Sequence, residues 1–123
     1  MMTPIETVRG FIDCWNANDM ERVVMALHED VLYHNVPLEP IRGRAAVRTY
    51  LAAQARFDWV DWKLLSIAAD GNTVLTERID EFGIDGAHVK LPIMGAFEIR
   101  DGLITAWRDY FDLAMYLRQR GSA

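Results

Sequence analysis

Charged residues at two places in this chain have the spacing for chemistry. In T-E-R-I-D-E-F, residues 76 to 82, Arg78 and Asp80 stand two apart, so they share a face if the segment is extended. Val74, Thr76 and Phe82 lie on that same side, while Leu75 and Ile79 compete for the core from the other. In L-I-T-A-W-R-D-Y-F-D, residues 103–112, alternation sets Leu103, Thr105, Trp107, Asp109 and Phe111 on one face. Asp109 thus falls between two aromatic rings. An ionised carboxylate in apolar surroundings costs many kcal/mol unless a cation, hydrogen-bond donors or a proton meets it. Two carboxyl groups and a guanidinium converging in such a place would do acid–base work, because neighbouring carboxyls split their protonation states. The bland alternative is a wet face, with Arg78, Asp80 and Glu81 in cross-strand pairs worth less than about 1 kcal/mol each. Spacing alone leaves both readings open, and Asp109 tilts the balance towards a pocket.

These side chains need elements to hold them. Thr3-Pro4-Ile5-Glu6 is a helix start, with a Thr cap, Pro at the first position and Glu three residues after the cap. Ile5, Val8, Phe11, Ile12 and Trp15 then form one helical stripe. Asn18 with Glu21 repeats the start signal for a short second helix carrying Val23, Val24 and Leu27. Val31 to Val36 reads as a strand, stopped by Pro37 and Pro40, whose Val31, Tyr33 and Asn35 share a face. A third helix runs from Ala45 to about Arg56. Beyond Trp59 the period is two, punctuated by Asp70-Gly71, Asp85-Gly86 and Asp101-Gly102. Asp-Gly between alternating runs signals hairpins, so four antiparallel strands are expected at roughly 59–69, 73–84, 87–100 and 103–112, followed by a helical turn or two. Val89, Leu91, Ile93, Phe97 and Ile99 make the inner face of the third, interrupted by Gly95. Helices followed by a long meander give an α+β fold: a curved sheet half-covered by helices, which leaves a cavity.

Composition narrows the classes. At 123 residues the chain is one expected domain, 1–123, with a net charge of −5 and no Lys/Arg cluster. Nucleic acid is therefore not an expected partner. The single cysteine, Cys14, excludes an internal disulfide, fits a reducing compartment and reads as a small apolar core residue. No apolar run reaches membrane-spanning length and no signal-peptide blocks are present, so the expected location is the cytoplasm. His28, His34 and His88 lack metal-site spacing, and His34 should point away from Tyr33 and Asn35.

Taken together, these residues resemble the limonene-1,2-epoxide hydrolase family, within the cone-shaped superfamily named after nuclear transport factor 2 (NTF2-like, SnoaL-like). The resemblance spans nearly the whole chain and is tightest in L-P-I-M-G-A-F-E-I-R-D-G-L-I-T-A-W-R-D-Y-F-D-L, residues 91–113. E-R-I-D at 77–80 and Y-H-N-V-P-L at 33–38 match in the expected order. The resemblance implies a cone-shaped, curved, mixed and mostly antiparallel sheet under three to four helices. It also implies an epoxide hydrolase that adds water in one step to a hydrophobic epoxide, cyclic, terpenoid or steroid-like, to give a vicinal diol. No cofactor, metal or covalent enzyme intermediate is implied. Asp80, Arg78 and Asp109 match the family's Asp-Arg-Asp triad, and Tyr33 and Asn35 match its water-orienting pair.

The chemistry needs those types. An epoxide carbon is a mediocre electrophile, so the departing oxygen needs a proton as the C–O bond breaks, while water must lose one in the same event. Asp109 is the expected base on water, Asp80 the expected acid on the epoxide oxygen, and Arg78 the cation between them. Leu27, Trp59, Phe82, Leu91, Ile93, Trp107 and Phe111 are the candidate apolar lining for the substrate, although each would serve equally as plain core. A homodimer through the open sheet face is expected by resemblance, with Ile104, Ala106 and Tyr110 as contact candidates.

Two other readings remain on the same fold. A ketosteroid-isomerase or polyketide-cyclase type would move protons from an Asp in an apolar pocket without adding water. It would have no particular need for an Arg bridging two carboxyls. A non-catalytic ligand-binding dimer is the other, since fold alone never fixes function. The intact set Tyr33, Asn35, Arg78, Asp80 and Asp109 weighs against it.

Overall fold

The capping box at Thr3 forms as expected: the Thr3 side chain accepts from the Glu6 N–H, and the Glu6 carboxylate accepts from the Thr3 N–H. This starts α1 (Pro4–Asn16), whose Val8, Phe11, Ile12 and Trp15 are buried. The computed structural model describes residues 2–54 and 57–121. Helix α2 (Met20–Met25) is capped by Asp19 rather than Asn18, because Asn18 takes a left-handed turn conformation (φ 54°) and its amide reaches the Phe57 carbonyl. Strand β1 (Leu27–Asn35) begins earlier than Val31, so Leu27 belongs to a strand and not to α2. The two-residue strand β2 (Ile41–Arg42), invisible in the sequence, pairs antiparallel with it. Helix α3 (Arg44–Gln54) follows; its expected end near Arg56 lies outside the described residues.

The hairpin signals place the long strands well. They are β3 (Phe57–Asp70), β4 (Thr73–Ile84), β5 (Ala87–Arg100) and β6 (Leu103–Tyr110), and α4 (Leu113–Arg120) follows. Asp85-Gly86 and Asp101-Gly102 each hold both residues at positive φ, the hairpin geometry that Asp-Gly favours. Strand β6 stops at Tyr110 because Asp112 turns the chain and caps α4, accepting from the Met115 N–H. The sheet order is β2-β1-β6-β5-β4-β3, with β1 parallel to β6 and every other pair antiparallel. The architecture is thus the expected α+β arrangement: one mostly antiparallel six-stranded sheet, not closed, with four helices among the described residues.

The core lies between α1 and the inner sheet face. The Phe11 ring meets Trp107 edge-on at 5.0 Å and Phe97 at 6.0 Å, while Trp15 stacks on Trp62 at 4.7 Å. Cys14 is buried there.

Two strand irregularities alter what alternation predicts. Between β5 and β6 the register passes from Glu98↔Ala106 to Ile99↔Ile104, which leaves Thr105 as an extra residue. Ile104 is therefore fully buried in the core, and Leu103 and Thr105 do not continue the Trp107–Asp109 face. Ile104 and the buried Ala106 are thus removed as dimer contacts, whereas Tyr110 stays exposed. Between β3 and β4 the register passes from Phe57↔Ile84 to Trp59↔Gly83. That turns Phe57 inward and Trp59 outward.

Candidate active site

Strand β4 faces its Phe82 side inwards, so Val74, Thr76, Arg78, Asp80 and Phe82 are all buried while Leu75 is exposed. The wet-face reading fails for the central pair, since Arg78 is 0 % and Asp80 2 % exposed. Asp109 reaches the same place from β6 and is 3 % exposed. Arg78 donates from Nε to Asp80 Oδ1 at 2.9 Å and from Nη2 to Asp80 Oδ2 at 2.8 Å. The same Nη2 donates to Asp109 Oδ1 at 3.2 Å, so one nitrogen spans both carboxyls. The Trp107 indole donates to Asp109 Oδ2 at 3.1 Å. Glu81, on the opposite face, is occupied by Lys63 and His88, both at 2.6 Å, and takes no part.

Strand β1 supplies the second wall. Parallel pairing sets Tyr33 beside Trp107 and Asn35 beside Asp109. The Tyr33 ring stacks on Trp107 at 4.1 Å, and Asn35 Nδ2 donates to the Tyr33 hydroxyl at 2.9 Å. His34 points elsewhere, to the Leu38 carbonyl at 2.9 Å. All five residues singled out by the motifs therefore meet, and Tyr33, Asn35, Asp80 and Asp109 open onto one cavity.

Burial dominates the electrostatics. It pushes the Asp80 carboxyl up to about 6, against the opposing pull of Arg78. Burial likewise raises Asp109, although Arg78 and the Trp107 N–H pull the other way. Burial works against the Arg78 charge too, but Asp109 and Asp80 outweigh it and raise its pKa. The Tyr33 phenol, buried beside Asp109, is held well above its ordinary value and stays protonated. Arg78 balances one carboxylate, so the neutral state of this buried cluster carries one guanidinium, one carboxylate and one carboxylic acid.

The rest of the cavity is apolar. Phe82, Leu91, Ile93, Trp107 and Phe111 line it as expected. Leu27 does not: it is wholly buried in the core at the start of β1. Trp59 does not line it either, being 41 % exposed, with its ring beside His88 and over Gly83. Phe57 takes the place foreseen for Trp59, for the register reason given above. Trp15, Trp62, Leu38, Tyr50, Leu51 and Tyr116 complete the wall, and nothing in the sequence marks them as lining. Trp15 belongs to a recognisable helical stripe, but periodicity cannot separate core from cavity lining.

In the sequence Gly95 reads only as an interruption of an inner face. It pairs with both Thr76 and Asp109 across the ladder, and a Cβ there would lie 2.4 Å from Arg78 Nη1 and 2.9 Å from Asp109 Oδ1. The missing side chain is the space in which the three charges meet. Among the described residues, no three His, Cys, Asp or Glu side chains are grouped to hold a metal ion.

Residues 2–121 match the family described as the limonene-1,2-epoxide hydrolase catalytic domain. The chain belongs to the limonene-1,2-epoxide hydrolase family. With that membership comes the enzyme class, epoxide hydrolase. The chain is 39 % identical over 106 residues to epoxide hydrolase EphG of Mycobacterium tuberculosis (strain ATCC 25618 / H37Rv), covering 86 % of this chain and 71 % of that protein. A solved structure of an M. tuberculosis epoxide hydrolase of this type is 37 % identical, with a TM-score of 0.82 over 97 % of this chain and 92 % of the other. A putative SnoaL-like polyketide cyclase from Shewanella putrefaciens CN-32 superposes with a TM-score of 0.83 over 100 % of this chain and 99 % of its own, at 14 % identity. That likeness shows the shared fold alone. No helix among the described residues is long and apolar enough to cross a membrane.

Proposed function

We propose that this epoxide hydrolase opens a hydrophobic epoxide in a single step, with Asp109 as base, Asp80 as acid and Arg78 as the cation between them. The observation that carries the reading is Arg78 Nη2, which donates to both carboxyls at the wall of an apolar cavity. Water sits against Tyr33, Asn35 and Asp109. The Tyr33 hydroxyl, already accepting from Asn35, has its own proton free to give to the water oxygen. The water gives one hydrogen to Asn35 Oδ1 and the other to Asp109. Asn35 is the register neighbour of Asp109, which is why the base role falls to Asp109 and not Asp80.

As the water oxygen bonds to the epoxide carbon, its proton passes to Asp109. The C–O bond breaks, and the oxygen takes the Asp80 proton to become the second hydroxyl of a vicinal diol. The pair begins and ends with one proton between them, moved from Asp80 to Asp109, and its return through the Arg78-bridged site resets the enzyme. The apolar lining supports a hydrophobic epoxide, cyclic, terpenoid or steroid-like, as substrate and keeps bulk water from competing. The direct test is diol formation from a panel of such epoxides, with Asp80→Asn and Asp109→Asn as controls. Each variant is expected to lose about a thousandfold in kcat while the fold survives, since Asn keeps the shape but cannot exchange the proton. Turnover unchanged in either variant contradicts the assignment.

A homodimer through the open sheet face completes the proposal. Leu75, Met94 and Tyr110 are exposed on the face opposite the triad, with Met94 and Tyr110 directly paired across the ladder.

A further inference from the structure

The geometry around Arg78 goes beyond the triad. The guanidinium makes four hydrogen bonds, and Asp80 and Asp109 take three of them, from Nε and Nη2. The fourth runs from Nη1 to Thr76 Oγ1 at 3.0 Å, on the far side of the fork. Thr76 is buried, lies on the same strand face, and does not line the cavity. From β3 the Trp62 ring lies against the guanidinium, with Arg78 Cζ 4.6 Å from its centroid, and Phe97 of β5 flanks it at 5.8 Å. Trp62 is itself fixed: the Asn16 side chain accepts from its N–H at 2.6 Å and donates to its carbonyl at 3.1 Å, while Trp15 stacks on its ring. Gly95 leaves open the space that Nη1 fills.

A guanidinium whose plane swung about the Cδ–Nε bond would still pair with one carboxylate but would no longer set a single nitrogen between two. Rotation is what the surroundings prevent. We propose that Thr76 and Trp62 are positioning residues for epoxide opening, which lock the plane and rotation of Arg78 so that Nη2 spans both acids. The inference rests on the Asp80–Arg78–Asp109 reading and adds what holds that geometry in place.

The test separates positioning from mere packing. Thr76→Val keeps the shape but removes the acceptor, whereas Thr76→Ser keeps the acceptor. Arg78 holds down both carboxyls against burial, so a loosened Arg78 lets both rise. The other titratable group facing the cluster is the Tyr33 phenol on β1; the side chains packed against it from β3 and β5, Trp62 and Phe97, are uncharged. Thr76→Val is expected to lower kcat about tenfold with little change in KM, and to move both limbs of the pH profile to higher pH. Thr76→Ser should behave as the parent enzyme. In substrate-free protein, carbon-13 titration of the Asp80 and Asp109 carboxyls should show the same upward movement in Thr76→Val only.

Equal losses in the Val and Ser variants would overturn the proposal. So would a Val variant with the parent's kcat and titration, or a loss confined to KM. If Thr76→Val fails to fold, Trp62→Phe against Trp62→Leu decides, because Phe keeps an aromatic face for Arg78 and Leu does not. Equal titration curves in those two would overturn it. An inactive parent enzyme would defeat the hydrolase reading, and the carboxyl titrations would still decide whether Thr76 and Trp62 hold Arg78.

Discussion

Asp80 and Asp109 are ordinary carboxyls made unusual by where they sit. Burial raises both, and one shared guanidinium cannot neutralise two charges in an apolar site. The consequence for stability has a definite sign. A carboxyl whose pKa rises from 3.8 to about 6 on folding binds its proton more tightly in the folded state. Its contribution to stability is full below the unfolded value and is lost as the pH rises through the folded one. The contribution of Asp80 to the melting temperature is therefore expected to fall between about pH 4 and pH 6, and the parent should lose more, or gain less, than Asp80→Asn over that range. Differential scanning calorimetry across this range checks it; an identical slope in the variant would show that Asp80 does not hold the proton. The sequence makes the residue types and their shared face legible, and the motifs bring Tyr33, Asn35, Arg78, Asp80 and Asp109 together. It does not reveal how the hydrogen bonds are shared out, because that depends on register between strands far apart in the chain.

At the scale of elements, local chemistry is legible and register is not. Thr3 with Glu6 starts α1 where it should, and the Asp-Gly pairs fix the hairpins, because both signals act within a few residues. An extra residue in a ladder leaves no comparable trace. Residues 103–112 alternate plausibly in either phase, and only pairing with β5 shows that Thr105 is the extra one and Ile104 faces the core. The same blindness exchanged Phe57 for Trp59 on the cavity wall. Gly95 shows the converse: a gap in an inner face that reads as a weak spot is where Thr76, Arg78 and Asp109 approach. Gly95→Ala sets a methyl 2.4 Å from Arg78 Nη1, among buried side chains tied together by the Arg78 hydrogen bonds. It should cost about 1–3 kcal/mol of stability by overpacking and remove most activity. Denaturant unfolding and turnover measured on one preparation check this, and an active, equally stable variant would contradict the described approach.

For the whole molecule, the inner sheet face and the helices build the cavity, and the outer face is where the proposed dimer would form. Met94 and Tyr110, directly paired across β5 and β6, are both exposed on it. Met94→Glu should shift the protein from dimer to monomer in sedimentation equilibrium, and a parent chain that is monomeric at micromolar concentration would refute the dimer. The central claim is that water, held by Tyr33, Asn35 and Asp109, attacks the epoxide carbon directly. A single turnover in oxygen-18 water, with enzyme in excess over a cyclic epoxide, tests it most directly. The account predicts one oxygen-18 in the diol from the first turnover and none in the Asp80 or Asp109 carboxyl. An unlabelled first diol, with the label in an aspartate, would mean that a carboxylate and not water made the new bond, and would contradict it.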